Sequence, residues 1–211
     1  MSGGAPVDVA VADDAIPVSV QIEHWLEDAG EKTLGGLIDF FGRKSFALIF
    51  VLLLGVPALP LPTGGATHVF EIIAVLVAVQ LIIGREHIWL PERWRRIELT
   101  STRRERFIAS LTRLIRRLER ISRPRLRFLF NHRLSNSGFG LLVVCGSLAA
   151  FLAPPFSGLD TLPALGVVLL SLAVLLEDAA VVVVALVVGA VGVALELALG
   201  AAAIRGAESL F

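Results

Sequence analysis

A long apolar hairpin occurs twice in this chain. Each copy is too long for one helix and just long enough for two. Residues 46–84 read FALIFVLLLGVPALPLPTGGATHVFEIIAVLVAVQLIIG, and residues 139–176 read FGLLVVCGSLAAFLAPPFSGLDTLPALGVVLLSLAVLL. A shift of 93 residues sets Phe46 on Phe139, Leu48 on Leu141, Pro62 on Pro155, Gly65 on Gly158 and Val75 on Val168. Each copy is an apolar run, a Pro/Gly-rich break, a second apolar run and a charged stop, Arg85-Glu86 in one and Glu177-Asp178 in the other. A helix needs about 20 apolar residues to cross a bilayer. Each hairpin can therefore supply two short crossings, and residues 181–203 add a third apolar run of spanning length. The pattern predicts an all-α integral membrane protein with an internal repeat.

Composition agrees. Hydrophobic residues make up 55% of the chain and the mean hydropathy is +0.79, too apolar for an ordinary soluble domain. The single Cys145 lies inside an apolar run, so the sequence offers no disulfide framework. The N-terminus, MSGGAPVDVAVADD, has acids and no basic n-region, so no cleavable signal peptide is expected. Net charge is zero but unevenly spread. Residues 1–44 hold eight acids and three bases, whereas residues 85–133 hold fifteen arginines against five acids. The positive-inside rule places such a segment in the cytoplasm.

Six segments follow. Residues 1–16, small and acidic, are expected to be disordered. Residues 17–44 read as amphipathic helices, with Ile22, Trp25, Leu26 and Ala29 on one stripe and Leu34, Leu37, Ile38 and Phe41 on the next. Residues 45–87 form the first hairpin, broken by Pro57, Pro60 and Pro62 before Thr63-Gly64-Gly65. Arms of this length rise only about 20–25 Å, so they fit either thin crossings or a re-entrant pair whose tip is buried in protein. Residues 88–134 form an Arg-rich cytoplasmic segment, anchored by Trp89 and Trp94, with an amphipathic helix over 103–122 whose stripe is Phe107, Leu111, Leu114, Leu118 and Ile121. Residues 135–178 form the second hairpin. It starts on the same side as the first, so the copies are parallel repeats about an axis along the membrane normal. Residues 179–205 cross once, leaving the N-terminus in the cytoplasm and the C-terminus in the periplasm.

Several of these segments resemble the ExoD family, bacterial inner-membrane proteins named for a link to exopolysaccharide synthesis. The matching residues are Thr33-Leu34-Gly35, Phe41-Gly42-Arg43-Lys44-Ser45-Phe46, the QLIIGREHIWLP run from Gln80 to Pro91, and RLERISRPRLRFL from Arg117 to Leu129. The likeness extends from about residue 30 onward. It implies an inner-membrane location and a place in exopolysaccharide synthesis, under a family label that names a process and no biochemical activity. The two tips differ, since Pro60-Leu61-Pro62 is replaced by Pro154-Pro155-Phe156 in the second copy.

A polar pathway or core would be built from Glu71, Gln80, Arg85, Glu86, Glu177, Asp178 and Glu196. Glu71, beside His68, is either a proton- or cation-handling carboxylate or a wet first-turn helix acid. Asp160 holds the equivalent place in the second copy and suits a helix N-cap. Gln80 must find a partner within an apolar run. Arg85 paired with Glu177 or Asp178 would staple the repeats together, or the same charges would gate a pathway. Glu196 is a pathway residue or a hydrated one near the far interface. Arg103, Arg106, Arg113, Arg116, Arg117 and Arg120 offer a face for anionic lipid headgroups or partner proteins. Nucleic acid is not expected, and neither is a cofactor, a metal or enzymatic chemistry, because no Walker, nucleophile-elbow or metal-ligand motif occurs. Gly189, Ala190, Gly192, Ala194 and Ala198 form a small-residue face suited to a homodimer. Two functions fit: a small transporter or permeation element for an ion, lipid or polysaccharide precursor, and alternatively a non-catalytic scaffold of an exopolysaccharide machinery.

Overall fold

The computed structural model describes residues 16–27, 32–59, 67–98, 102–122, 133–153 and 158–208. Two amphipathic helices come first, α1 (Val18–Glu27) and α2 (Leu34–Phe41). Thr33 caps α2, its hydroxyl accepting from the Gly36 N–H at 3.1 Å. The helix ends where Gly42 takes a positive φ of 51°, which a residue without a Cβ adopts at little cost. A 3₁₀ turn leads into α3 (Ser45–Leu54), where Ser45 Oγ donates to the Gly42 carbonyl at 2.5 Å. The remaining helices are α4 (His68–Ile82), the short α5 (Glu92–Arg95), α6 (Thr102–Ile121), α7 (Arg133–Leu152), α8 (Thr161–Leu176) and α9 (Ala179–Glu208). Pro163 sits in the first turn of α8, where its missing N–H costs nothing. Glu177 ends α8 in the left-handed region at φ 53°, and Asp178 caps α9 by accepting the Ala180 N–H at 2.8 Å.

The four hairpin helices close into a ring in which α3 packs on α4, α4 on α7, α7 on α8, and α8 back on α3. Burial separates them into two kinds. Every residue of α3 from Ser45 to Val51 is buried, and so is most of α8. A helix apolar on all sides belongs in an interior, and these two form it. By contrast α4 shows Val69, Ile72 and Leu76 outward, α7 shows Leu141, Leu148 and Leu152, and α9 is apolar and bare along most of its length. At the end of the ring where α3 begins, the proximal end, α2 joins α5. Leu34 N donates to the Ile97 carbonyl at 2.9 Å, Arg95 pairs with Asp39 at 2.6 Å, and Gly35 lies against Arg95.

Close approach is bought by glycine at the α8–α9 contact. A Cβ on Gly166 would stand 2.6 Å from Gly189 Cα, and one on Gly192 would stand 2.8 Å from Pro163 Cδ. The small-residue face anticipated for a homodimer thus meets α8 of the same chain through Gly189 and Gly192. Two of the five small residues are thereby occupied within the chain. Ala190, Ala194 and Ala198 remain outward.

Among the described residues there is no β-strand, only an isolated bridge between Thr33 and Glu98, so the all-helical expectation holds. Two helical stretches, Ser135–Leu152 and Ala179–Ala202, are long and apolar enough to cross a membrane, while α3, α4 and α8 are shorter. The stripe expected on the Arg-rich helix is rotated. Ile108, Leu111, Thr112 and Ile115 are buried, while Leu114 is 43% exposed. The face turns because α6 packs on both α1 and α8, and those neighbours lie on the 108/111/115 side. Leu26, placed on the α1 stripe, is likewise exposed, and Ser19 and Gln21 are buried in its stead. The expectations for residues 1–15 and for the tip residues Pro60, Pro62, Thr63, Gly64, Gly65 and Pro154-Pro155-Phe156 lie outside the described residues.

Candidate functional site

The ring has two polar ends, and they differ in chemistry. At the distal end α4 begins with the Phe70 and Glu71 N–H groups donating to the Thr67 carbonyl at 2.9 and 3.1 Å. This turn carries His68 and Glu71 on one face, three residues apart. Their side chains meet, with His68 Nδ1 2.7 Å from Glu71 Oε2. Glu71 is fully buried, and its other oxygen, Oε1, has no hydrogen-bond partner. The His68 ring stands edge-on to Phe151 of α7, centroids 5.1 Å apart. At the other end of the same antiparallel pair, Gly140 lies against Ala78 and Ile82. The two contacts fix the register, so the fully buried Ser147 lies on the turn of α7 that faces Glu71. Its hydroxyl is also unpartnered.

Two further acids join this end from other helices. Asp160 opens α8, and Glu196 follows one turn after Gly192, which rests on Leu162 and Pro163. The three carboxylates are near enough for Asp160 and Glu71 to act electrostatically on Glu196, and for Asp160 to act on Glu71. Glu196 Oε1 is a third buried oxygen without a partner. Asp160 occupies the N-cap position but makes no capping hydrogen bond, so the cap expected of it is not formed. No group of three His, Cys, Asp or Glu among the described residues could hold a metal ion.

The proximal end is built from polar groups that already satisfy one another. Gln80 closes the 84–89 turn like a clasp. Its Oε1 accepts the Trp89 N–H at 2.8 Å, and its Nε2 donates to the Trp89 carbonyl at 3.2 Å. That bidentate grip on backbone is a structural duty. Asp178 accepts from Ser122 Oγ at 2.8 Å, tying the end of α6 to the start of α9, and Glu177 is the left-handed residue that ends α8. Arg85 and Glu86 are exposed on the turn. Among the described residues no ion pair joins Arg85 to Glu177 or Asp178: Arg85 is exposed on the 84–89 turn, and Asp178 accepts from Ser122 Oγ and the Ala180 N–H. Of the anticipated polar-core residues, only Glu71 and Glu196 are brought together.

The Arg-rich helix is partly neutralised by α1. Glu119 accepts from the Ser19 N–H at 3.0 Å and from Ser19 Oγ at 2.5 Å, and Arg116 pairs with Glu23. Arg113 folds back on the Ala109 carbonyl at 3.2 Å. Arg113, Arg117 and Arg120 stay exposed, whereas the side chains of Arg103 and Arg106 lie outside the described residues. Sequence reasoning missed Ser147 and the joining of Asp160 to the cluster. Ser147 is one hydroxyl in an apolar run, and only the α4–α7 pairing gives it a carboxylate to face.

The family model described as "Exopolysaccharide synthesis, ExoD" matches residues 18–198. The uncharacterized protein slr1875 of Synechocystis sp. is 31% identical over 142 residues, covering 67% of this chain and 66% of that one. Protein ExoD of Rhizobium meliloti is 29% identical over 150 residues, covering 69% and 61%. The matches thus span just under two thirds of the length of these relatives. No solved structure matches the chain.

Proposed function

The chain belongs to the ExoD family, which is linked to exopolysaccharide synthesis, and from that premise we propose that it is a non-catalytic integral inner-membrane protein that serves this process as a small permeation element for an ion. The observation that carries the reading is the distal cluster. Glu71 has no exposed surface, one partner and one orphaned oxygen, and Glu196 brings a second orphaned carboxylate oxygen toward it. An unsatisfied buried carboxylate costs several kcal/mol by order of magnitude and marks a functional place when it lies at membrane depth.

Three features support the membrane setting. The outward faces of α4, α7 and α9 are apolar, the interior pair α3 and α8 is shielded, and Arg85, Arg93, Arg95 and Arg96 lie at the proximal end. The helix contacts also suit a duplicated hairpin. The 93-residue shift carries His68 at the start of α4 onto Thr161 at the start of α8. Exchanging the hairpins turns the α3–α8 contact into the α7–α4 contact, and both are present. Depth favours tips that stop within the bilayer. From Ala179 to Gly192, level with the start of α8, α9 rises about 20 Å, and its apolar stretch runs about 15 Å further. The distal cluster then lies inside the hydrocarbon layer, roughly 30 Å thick, rather than at its rim.

Liposome flux tests the reading. Vesicles holding the wild-type protein should dissipate an imposed ion gradient faster than empty vesicles, and Glu71→Gln should bring the rate back to that of empty ones. Wild-type vesicles no leakier than empty ones, or a Glu71→Gln variant with full flux, would sink it. The exposed Arg113, Arg117 and Arg120 favour a second reading, a scaffold that docks anionic headgroups or a partner of the polysaccharide machinery.

A further inference from the structure

We propose that the distal cluster is a proton-binding site, loaded through His68 and held by Glu71, with Ser147 and Glu196 as the other buried polar groups of the site. This deepens the permeation reading by naming the ion, and it rests on the membrane placement given there.

The geometry divides the work between two side chains. The His68 side chain is 26% exposed, whereas that of Glu71 is 0% exposed. Only His68 therefore meets the surroundings, and Glu71 is reached through it, across the 2.7 Å contact from Nδ1 to Oε2. A proton arriving at Nε2 forms an N–H bond there, and the Nδ1 proton passes to Oε2, breaking one N–H bond and forming one O–H bond. Histidine ends neutral with its proton on Nε2, and Glu71 ends as the neutral acid. The charge that entered has then moved from the exposed ring to the buried carboxyl. Imidazole suits the task because its two nitrogens accept and donate at once.

The orphaned oxygen argues for what comes next. Glu71 Oε1 is buried without a partner, and so is Ser147 Oγ on the facing turn of α7. Buried polar atoms of this kind are normally satisfied by one another or by an ordered water. The charged and titratable groups around Glu71 are few. His68 comes from its own helix, Asp160 from the start of α8 and Glu196 from α9. α3 carries no ionisable group, and α7 carries Arg133 at its first residue, at the opposite end of the helix from Ser147, and Cys145, which is exposed. No three His, Cys, Asp or Glu side chains among the described residues are placed to ligate one ion. A proton needs no shell, only a donor and an acceptor in line.

The test is infrared difference spectroscopy on the full chain in lipid nanodiscs, following the carboxylic-acid C=O stretch through a pH titration and after a pH jump. Wild type should show a titrating band that Glu71→Gln removes. Glu71→Asp should keep a band at a shifted frequency, which separates loss of the carboxyl from loss of the fold. His68→Phe should retain the band yet load it on the order of a hundredfold more slowly, the lower range for a positioned proton-transfer group. A wild-type titration in which no carboxylic-acid component disappears on Glu71→Gln would overturn the site. Unchanged loading in His68→Phe would overturn the relay. An intact band with no vesicle flux would remove the permeation reading and leave the proton site standing.

Discussion

Gly166→Ala is expected to destabilise the protein by roughly 1–3 kcal/mol, the usual cost of overpacking a filled contact, whereas Gly189→Ala should be neutral or stabilising by up to about 1 kcal/mol, the helix-propensity gain over glycine. The two glycines face each other, so the asymmetry is the informative part. A methyl on Gly166 would stand 2.6 Å from Gly189 Cα and 2.9 Å from Gly189 N. Those are backbone atoms, and no rotamer change can clear them. A methyl on Gly189 finds only Gly166 Cα at 3.7 Å, an ordinary contact. Gly166→Ala must therefore push α9 away from α8 and weaken the approach that brings Glu196 toward Asp160. Gly192, whose added Cβ would meet the Pro163 ring and backbone at 2.8 Å, should behave like Gly166. Thermal unfolding of the three variants in one detergent measures the order. Equal tolerance of Gly166→Ala and Gly189→Ala would mean that α8 and α9 do not touch in this register.

The second large effect belongs to α3. Phe50 has no exposed surface and stands edge-on to Phe139 of α7, centroids 5.6 Å apart at 79°. Phe50→Ala should cost about 3–5 kcal/mol, the transfer and cavity penalty of a large ring removed from an interior that cannot collapse. Val69→Ala on the outward face of α4, where Val69 is 59% exposed, should lie within about 0.5 kcal/mol of wild type, as surface changes away from special features do. The pair separates a helix enclosed by protein from one that faces its surroundings. If both substitutions are equally mild, α3 is not the centre of the bundle.

The apolar hairpins were legible because length and punctuation leave few alternatives. Gly42, the Pro/Gly breaks and the Glu177-Asp178 stop all fall at or just beyond helix ends. What the sequence could not disclose were contacts between helices distant along the chain. Hydropathy is even around α3, α4, α8 and α9, so it carries no face and therefore no pairing rule. Without pairing, Gly189 and Gly192 look like an interface for a second copy, and Ser147 looks like an ordinary small residue. The Arg-rich helix had a face, but one with apolar residues at two overlapping sets of positions. Leu111 belongs to both sets, and packing on α1 and α8 chose the set with Ile108 and Ile115 over the one with Leu114. Gln80 was rightly expected to need a partner. That partner is the backbone of Trp89, nine residues away, and no pattern of side chains announces a backbone acceptor. Glu71 stands out in the sequence as a carboxylate within an apolar run, a signal that needs no knowledge of helix pairing.

The proton site proposed at the distal end requires the proposed bilayer placement, with the Arg-rich side in the cytoplasm and one crossing by α9. Substituted-cysteine labelling tests it most directly. In a Cys145→Ser background, Arg85→Cys and Arg205→Cys each put a thiol at an exposed position, one at the proximal end of the bundle and one near the far end of α9. An impermeant maleimide applied to spheroplasts should label the cysteine at 205 and leave the one at 85 unlabelled until the membrane is permeabilised. Equal labelling of both before permeabilisation, or a chain that leaves the membrane fraction in an alkaline wash, would contradict the account.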